Sequence, residues 1–427
     1  MNEDFLQYIW QAGLFNAEDL KTTDGQPILI LKRGRLNRDS GPDFSEARIR
    51  IGEADWVGNI EIHINSNDWF LHKHQLDSAY NNTVLHVVYN HQKIAQRLDG
   101  SYVPTFVLNE RIYPEVIQHF KLLKQSEQWI PCASLISKID HFTITQALDR
   151  TLVNRLERKS DQIQEWLNSC NNDWHSVFYY AITRSFGFGT NAQPFEELAL
   201  RLPLQILGRH KNDAHQIEAL LFGTAGFLNE VMIDDYHNSL RKEWQFLKQK
   251  YQLHSNEPSS FKLMRMRPGN FPTMRLAQLS ALIYKSHHLF ALIIELNDVK
   301  DIIQLFDVEG SEYWQTHYVF GKAAKKHSAE LSEAARQLLL INAVVPVLFV
   351  YGKSIGNENI CNKAISLLQH LAPESNNIIK HWEDLGLAAK SAFDSQALLE
   401  LKSQFCDKKL CLQCKIGNKL LQAKAIN

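Results

Sequence analysis

At 427 residues the chain is longer than one hydrophobic core normally serves, so at least two domains are expected. Its 44% apolar and 22% charged residues exclude extended disorder, and 46 Lys/Arg against 47 Asp/Glu exclude a molecule-wide positive field that would steer it to nucleic acid. Any such contact has to be local, and only the tail from Lys402 onward, with six Lys and one Asp, is clearly basic.

From the start of the chain, residues 3–14 carry apolar side chains at helical spacing and stop at Gly13. The acidic opening Met1-Asn2-Glu3-Asp4 does not read as a secretion signal, which points to the cytoplasm. The period then changes to two. Residues 27–32, 47–51 and 57–64 read as strands, the last with Glu61 and His63 on one face and Ile60, Ile62 and Ile64 on the other. A helix is expected at 69–80, and strands at 83–89 and 102–108. From residue 143 the 3.6-residue period dominates, at 143–167, 174–186, 213–228, 234–251, 273–284, 328–349, 359–371 and 395–405. The chain therefore reads as an α/β (α+β) domain over 1–130 followed by a mainly helical domain over 131–427. Its most apolar run, 338–350, is broken by Asn342 and Pro346 and falls short of the roughly 20 residues a bilayer needs. A buried core helix is expected there, with no membrane partner.

Chemistry concentrates between Gly41 and Tyr89, where Asp43, Glu61, Asp68 and Asp77 alternate with His63, His72, His74 and His86. Asp43 precedes one strand and Glu61 lies on the next, so pairing of the two strands would project both carboxylates from one edge, with His63 on the Glu61 face. Two carboxylates holding Mg²⁺ or Mn²⁺ beside a water-orienting group are what phosphodiester hydrolysis requires. The bland alternative has Asp43 capping a turn and Glu61 pairing with Arg48 or Arg50. His72, His74, Asp77 and His86 make a second constellation, or an outer shell of the first, able to bind zinc. His-x-His suits a strand better than a helix, where alternate residues point about 200° apart. His86 sits in an apolar strand and needs a partner in either case.

Six cysteines without a secretion signal make disulfides improbable. Cys170 and Cys361 read as small core residues. Cys406, Cys411 and Cys414 are closely spaced in the basic tail, and Cys132 near the domain boundary can supply a fourth thiolate, completing a zinc or iron–sulfur site; unligated thiols are the alternative. In the helical domain, Arg265, Arg267 and Arg275 flank a Pro-Gly-Asn loop leading into a helix, an arrangement that either binds phosphate or fastens the loop to neighbouring helices.

The order helix, strand, Pro42-Asp43, strand, Glu61-Ile62-His63, helix, strand resembles the restriction-endonuclease-like nuclease superfamily, PD-(D/E)xK. The resemblance covers about residues 1–90 and implies a mixed sheet, a divalent ion held by Asp43 and Glu61, and nucleic acid as substrate. His63 stands where the superfamily normally has lysine, so a permanent ammonium is lacking at that position. Some nucleases of this superfamily also tie one distant cysteine and three C-terminal ones around a four-iron cluster. Over nearly its full length, through Asp39–Phe44, Asn59–His63, Asp68–His74, Leu85–Tyr89, Phe186–Gly189 and Arg265–Pro272, the chain resembles an uncharacterised bacterial family of similar length. That second resemblance implies no activity. The expectation is a metal-dependent nuclease with Asp43, Glu61 and His63 at its centre; the alternatives are a non-catalytic binding or scaffold protein and a zinc-dependent hydrolase built on the histidines.

Overall fold

A computed structural model describes residues 1–256, 260–286 and 288–422. The chain divides into two compact units, residues 1–147 together with the tail from Leu401, and residues 148–400. The tail, grouped by sequence with the helical domain, thus belongs to the first unit.

The first unit opens with helix α1, Glu3–Ala12, capped by the Asn2 side chain and ended by Gly13 in the left-handed region. It buries Phe5, Leu6, Ile9 and Trp10 completely. Next come strands β1 (Ile28–Lys32), β2 (Arg35–Leu36), β3 (Phe44–Ile51) and β4 (Ala54–Asn65). A short helix α2 (Asp68–Leu71) precedes strands β5 (Thr83–Asn90) and β6 (Thr105–Val107) and helix α3 (Pro114–Gln125). The sheet runs β1-β3-β4-β5-β6, with β2 paired to β3. β3 runs antiparallel to both β1 and β4, whereas β4, β5 and β6 run parallel. The mixed sheet expected from the sequence is present. Gly58 allows β5 its close approach to β4, since a Cβ there would meet the Asn82 carbonyl at 2.4 Å.

Two expectations fail locally. The helix over 69–80 is only four residues long, because Lys73 adopts φ 62° and Asp77 caps a separate 3-10 turn. The strand over 102–108 shrinks to Thr105–Val107, after Pro104, whose missing N–H cannot enter a ladder.

The second unit is helical around one core that includes Phe186, Phe195, Phe222, Phe306 and Trp314. Glu333–Ser354 is long and apolar enough to cross a membrane, yet 67% of its apolar window is buried within the protein, as a core helix requires. Pro346 interrupts its hydrogen-bond ladder. It offers no N–H to the Asn342 carbonyl, and the helix answers with a π turn at Leu340–Val344. The Lys159 ammonium donates to the Asn342 carbonyl at 3.4 Å and to its side-chain oxygen at 3.2 Å.

Candidate metal centre

The alternation of β4 puts Glu61 and His63 on one face, both buried, at 5% and 1% exposure. Asp43 stands beside them at the start of β3. Its backbone N–H donates to Glu61 Oε2 at 3.0 Å, and its Oδ2 accepts from the Ile62 N–H at 2.9 Å. Gln7 on α1 donates to the other Asp43 oxygen at 2.8 Å. The carboxylates are locked side by side. Burial first, and then the charge of Glu61, pushes Asp43 up to about 7. Arg48 and Arg50 turn to Asp55 at 3.0 and 2.6 Å, so the cross-strand pairing weighed for Glu61 is replaced by one near the hairpin end.

His72 and His74 would diverge on a regular helix. Helix α2 stops at Leu71, His72 is its C-cap, Lys73 takes a left-handed conformation, and a 3-10 turn begins at His74. That reversal brings both imidazoles to His63. The His63 Nε2 atom lies 3.2 Å from His72 Nδ1 and 3.5 Å from Glu61 Oε1, while His74 Nε2 lies 3.2 Å from the same Glu61 oxygen. One donor atom from each of the three histidines lies within 4.8 Å of the others. Zinc bonds of about 2.0–2.2 Å to nitrogen and oxygen place neighbouring donors of a tetrahedral ion about 3.3–3.6 Å apart. The near-neighbour spacings match that edge length.

The donors are oriented from behind. His63 Nδ1 pairs with His86 Nε2 at 2.9 Å, so a His63 ring that offers Nε2 to a metal carries its proton on Nδ1 and donates it to His86. His74 stacks on Tyr80 at 3.8 Å between ring centroids, and Trp69, fully buried, sets its ring against His74, Tyr80 and His86. Trp69 is itself fixed by a hydrogen bond from Nε1 to the Gln96 carbonyl at 2.9 Å. Burial, reinforced by neighbouring imidazoles, lowers His63 to about 2 and His86 to about 3, so both rings are neutral and able to act as ligand or acceptor. The His74 Nε2 atom is buried and makes no hydrogen bond among the described residues, although it faces Glu61. A cation between them would satisfy both. His72 is the exposed member and marks the side open to solvent.

Of the residues singled out by sequence, Asp43, Glu61, His63, His72, His74 and His86 converge. Asp77 does not join them: it is exposed, and its carboxylate accepts from the Ala79 N–H at 2.9 Å to cap a turn. Two polar residues of α1 have no signal in the sequence, being ordinary members of an amphipathic helix. Gln7 holds Asp43, and Glu3, raised mainly by burial, faces His72, Asp68 and Glu61. The arginine trio of the second unit does not gather. Arg275 is buried, donates to Gln278 at 2.8 Å and Asn270 at 2.6 Å and lies over Phe188, whereas Arg265 and Arg267 are exposed. Arg275 fastens its loop, the structural alternative raised for it.

Together these features define a two-unit protein, part mixed sheet and part helical, with a buried imidazole and carboxylate cluster on its sheet. The chain belongs to the family described as Protein of unknown function (DUF2851), whose model matches residues 3–377. No curated protein and no solved structure gives a match.

Proposed function

We propose that the first unit is a metal-dependent phosphodiesterase acting on nucleic acid, with Glu61, His63, His72 and His74 holding a divalent ion and Asp43 positioning Glu61. The observation that carries this reading is the gathering of three imidazoles within 4.8 Å of one another, two of them, His63 and His74, at 3.5 and 3.2 Å from the Glu61 carboxylate and the third, His72, 3.2 Å from His63. A donor set rich in nitrogen favours Zn²⁺ or Mn²⁺ over Mg²⁺, which prefers oxygen ligands. When bound, such an ion supplies a polarised water or a Lewis acid for a phosphoryl oxygen. His86 holds His63 in the tautomer that presents Nε2, Gln7 and the Ile62 amide hold Asp43, and Trp69 with Tyr80 excludes water from the inner side.

The order of helix, three antiparallel strands, short helix and parallel strand supports a restriction-endonuclease-like core, and with it the choice of phosphodiester as the bond cleaved. Histidine at position 63 replaces the ammonium of that pattern by another metal donor, which fits a transition-metal ion.

The test is to strip the full chain with a chelator, restore Zn²⁺, Mn²⁺ or Mg²⁺ separately, and follow metal binding together with cleavage of labelled single- and double-stranded DNA and RNA. Cleavage restored by Zn²⁺ or Mn²⁺ and lost in Glu61→Gln and His63→Ala is the expected result. Binding that His63→Ala removes, with no cleavage of any nucleic acid, would overturn the phosphodiesterase reading while leaving the metal site standing. Binding unaffected by His63→Ala would overturn both.

A further inference from the structure

We propose that Cys132, Cys406, Cys411 and Cys414 hold a single zinc ion that fastens the tail to the body of the first unit. The four thiols come from regions more than 270 positions apart in the numbering, yet all line one cavity of about 20 Å³ whose remaining wall is largely apolar, from Pro131, Phe405 and Leu410. The matched family region ends at residue 377 and includes none of the three tail cysteines.

The tail backbone is shaped to present them. Cys406 ends a π turn, Leu401–Cys406, which adds a residue to the helical turn and so rotates the chain beyond it. Lys409 takes φ 50°, the Leu410 N–H returns to the Phe405 carbonyl at 2.9 Å, and the Cys414 N–H closes on the Cys411 carbonyl at 3.3 Å. Cys411 and Cys414 therefore sit on one tight turn. Helix Lys415–Gln422 then packs so closely over it that a Cβ at Gly417 would lie 2.2 Å from the Cys411 carbonyl oxygen.

The donor set selects the occupant. Four thiols with no other ligating side chain line the cavity, the set that a closed structural site uses. Zinc is the ion that four thiolates in a closed structural site prefer, at about 2.3 Å from each sulfur. Burial raises Cys132 to about 12 and Cys411 to about 11, and Cys406 is raised as well; in all three, neighbouring thiols of the set add to the effect. Four thiolates around Zn²⁺ leave two negative charges, and Lys402 beside Cys406, with Lys124 and Lys409 beside Cys411, oppose them. The basic character of the tail finds a physical reason here.

The experiment uses the full chain carrying His63→Ala, purified without oxygen under reductant, so that the histidine site does not contribute metal. Elemental analysis is expected to find about one zinc per chain, and chelator treatment to make four further thiols reactive toward a disulfide reagent. Cobalt substituted for zinc should give the intense thiolate charge-transfer absorption of a four-sulfur site, and Cys411→Ser should abolish it. Cys132→Ser checks the distant ligand, with amide exchange across 401–422 expected to rise while exchange in β3 and β4 holds. Folded protein without zinc, whose four thiols react before chelation, would overturn the proposal. Iron with acid-labile sulfide in place of zinc would overturn it equally.

Discussion

Glu61 in the first unit and Glu400 in the second are both buried, at 5% and 2% exposure, but they are neutralised in opposite ways. Arg158 forks onto Glu400 through two hydrogen bonds of 2.9 and 2.7 Å, and Arg155 stands at 3.8 Å. Glu61 has only imidazoles for ion-pair neighbours among the described residues, and it shares its pocket with the Asp43 carboxyl. His63, its strand neighbour, is held neutral. Burying an uncompensated carboxylate costs several kcal/mol or shifts its protonation. One region supplies its own cation; the other has none beside it among the described residues, which is what the proposed metal site requires. That difference separates a structural ion pair from a candidate ligand set, although glutamate is buried in both.

The comparison breaks most visibly by isosteric substitution. Glu61→Gln is expected to lower metal-dependent cleavage by roughly 1,000-fold while unfolding free energy changes by less than about 1 kcal/mol, whereas Glu400→Gln should leave cleavage intact and cost about 2–3 kcal/mol in urea unfolding. The latter figure sits below that of a fully buried pair because Arg158 is half exposed. Loss of stability in Glu61→Gln equal to that in Glu400→Gln would erase the distinction. Next in size, His86→Ala should weaken metal binding about 10–100-fold, read by calorimetry, because His63 loses the partner that fixes its tautomer.

Acid sharpens the contrast in chelator-treated protein. His63 and His86, at about 2 and 3 in the fold, take up protons near pH 6.5 only when unfolded, so each contributes stability that is lost as pH falls below 6.5. Asp43 acts with the opposite sign. It binds its proton near pH 7 in the fold but near 3.8 when unfolded, and so adds stability as pH drops through that window. Two protons against one leave a net loss between pH 6.5 and about 4, and Asp43→Asn should steepen it in urea midpoints measured at successive pH values. The smallest effect belongs to Lys73→Gly. Relief of a left-handed non-glycine residue should stabilise by up to about 1 kcal/mol with metal affinity unchanged, while Lys73→Val should lose both stability and affinity.

Strand alternation made the Glu61 and His63 pairing legible, and the Pro42-Asp43 turn made its neighbour legible, because a period of two fixes which side chains share a face. The convergence of His72 with His74 was not, since it depends on Lys73 occupying a conformation that lysine rarely marks. Asp77 misled for a related reason: Asp serves equally as ligand and as cap, and the backbone decides. Gln7 and Glu3 were invisible because a helix face gives no hint of the sheet edge it will cover. Some helical periods of the second unit were readable to the residue, as at Trp174–Phe186, but the helix expected at 328–349 lies at Glu333–Ser354 and the one expected at 213–228 ends at Thr224; the π turn before Pro346 came from a hydrogen bond the proline cannot make.

The first unit is assembled from the two extremes of the described chain, and this sets a schedule during synthesis. Helix Lys415–Gln422 reaches back to α1, where the Tyr8 hydroxyl donates to the Asn418 carbonyl at 3.4 Å, and α1 carries the glutamine that holds Asp43. A ribosome adding about 5–20 residues per second needs roughly 13–50 s to pass through the intervening stretch from Leu148 to Glu400. Throughout that interval α1 lacks the contact that Tyr8 makes with the tail. The nascent protein thus gains this brace on the helix that holds Asp43 only after the helical unit has emerged.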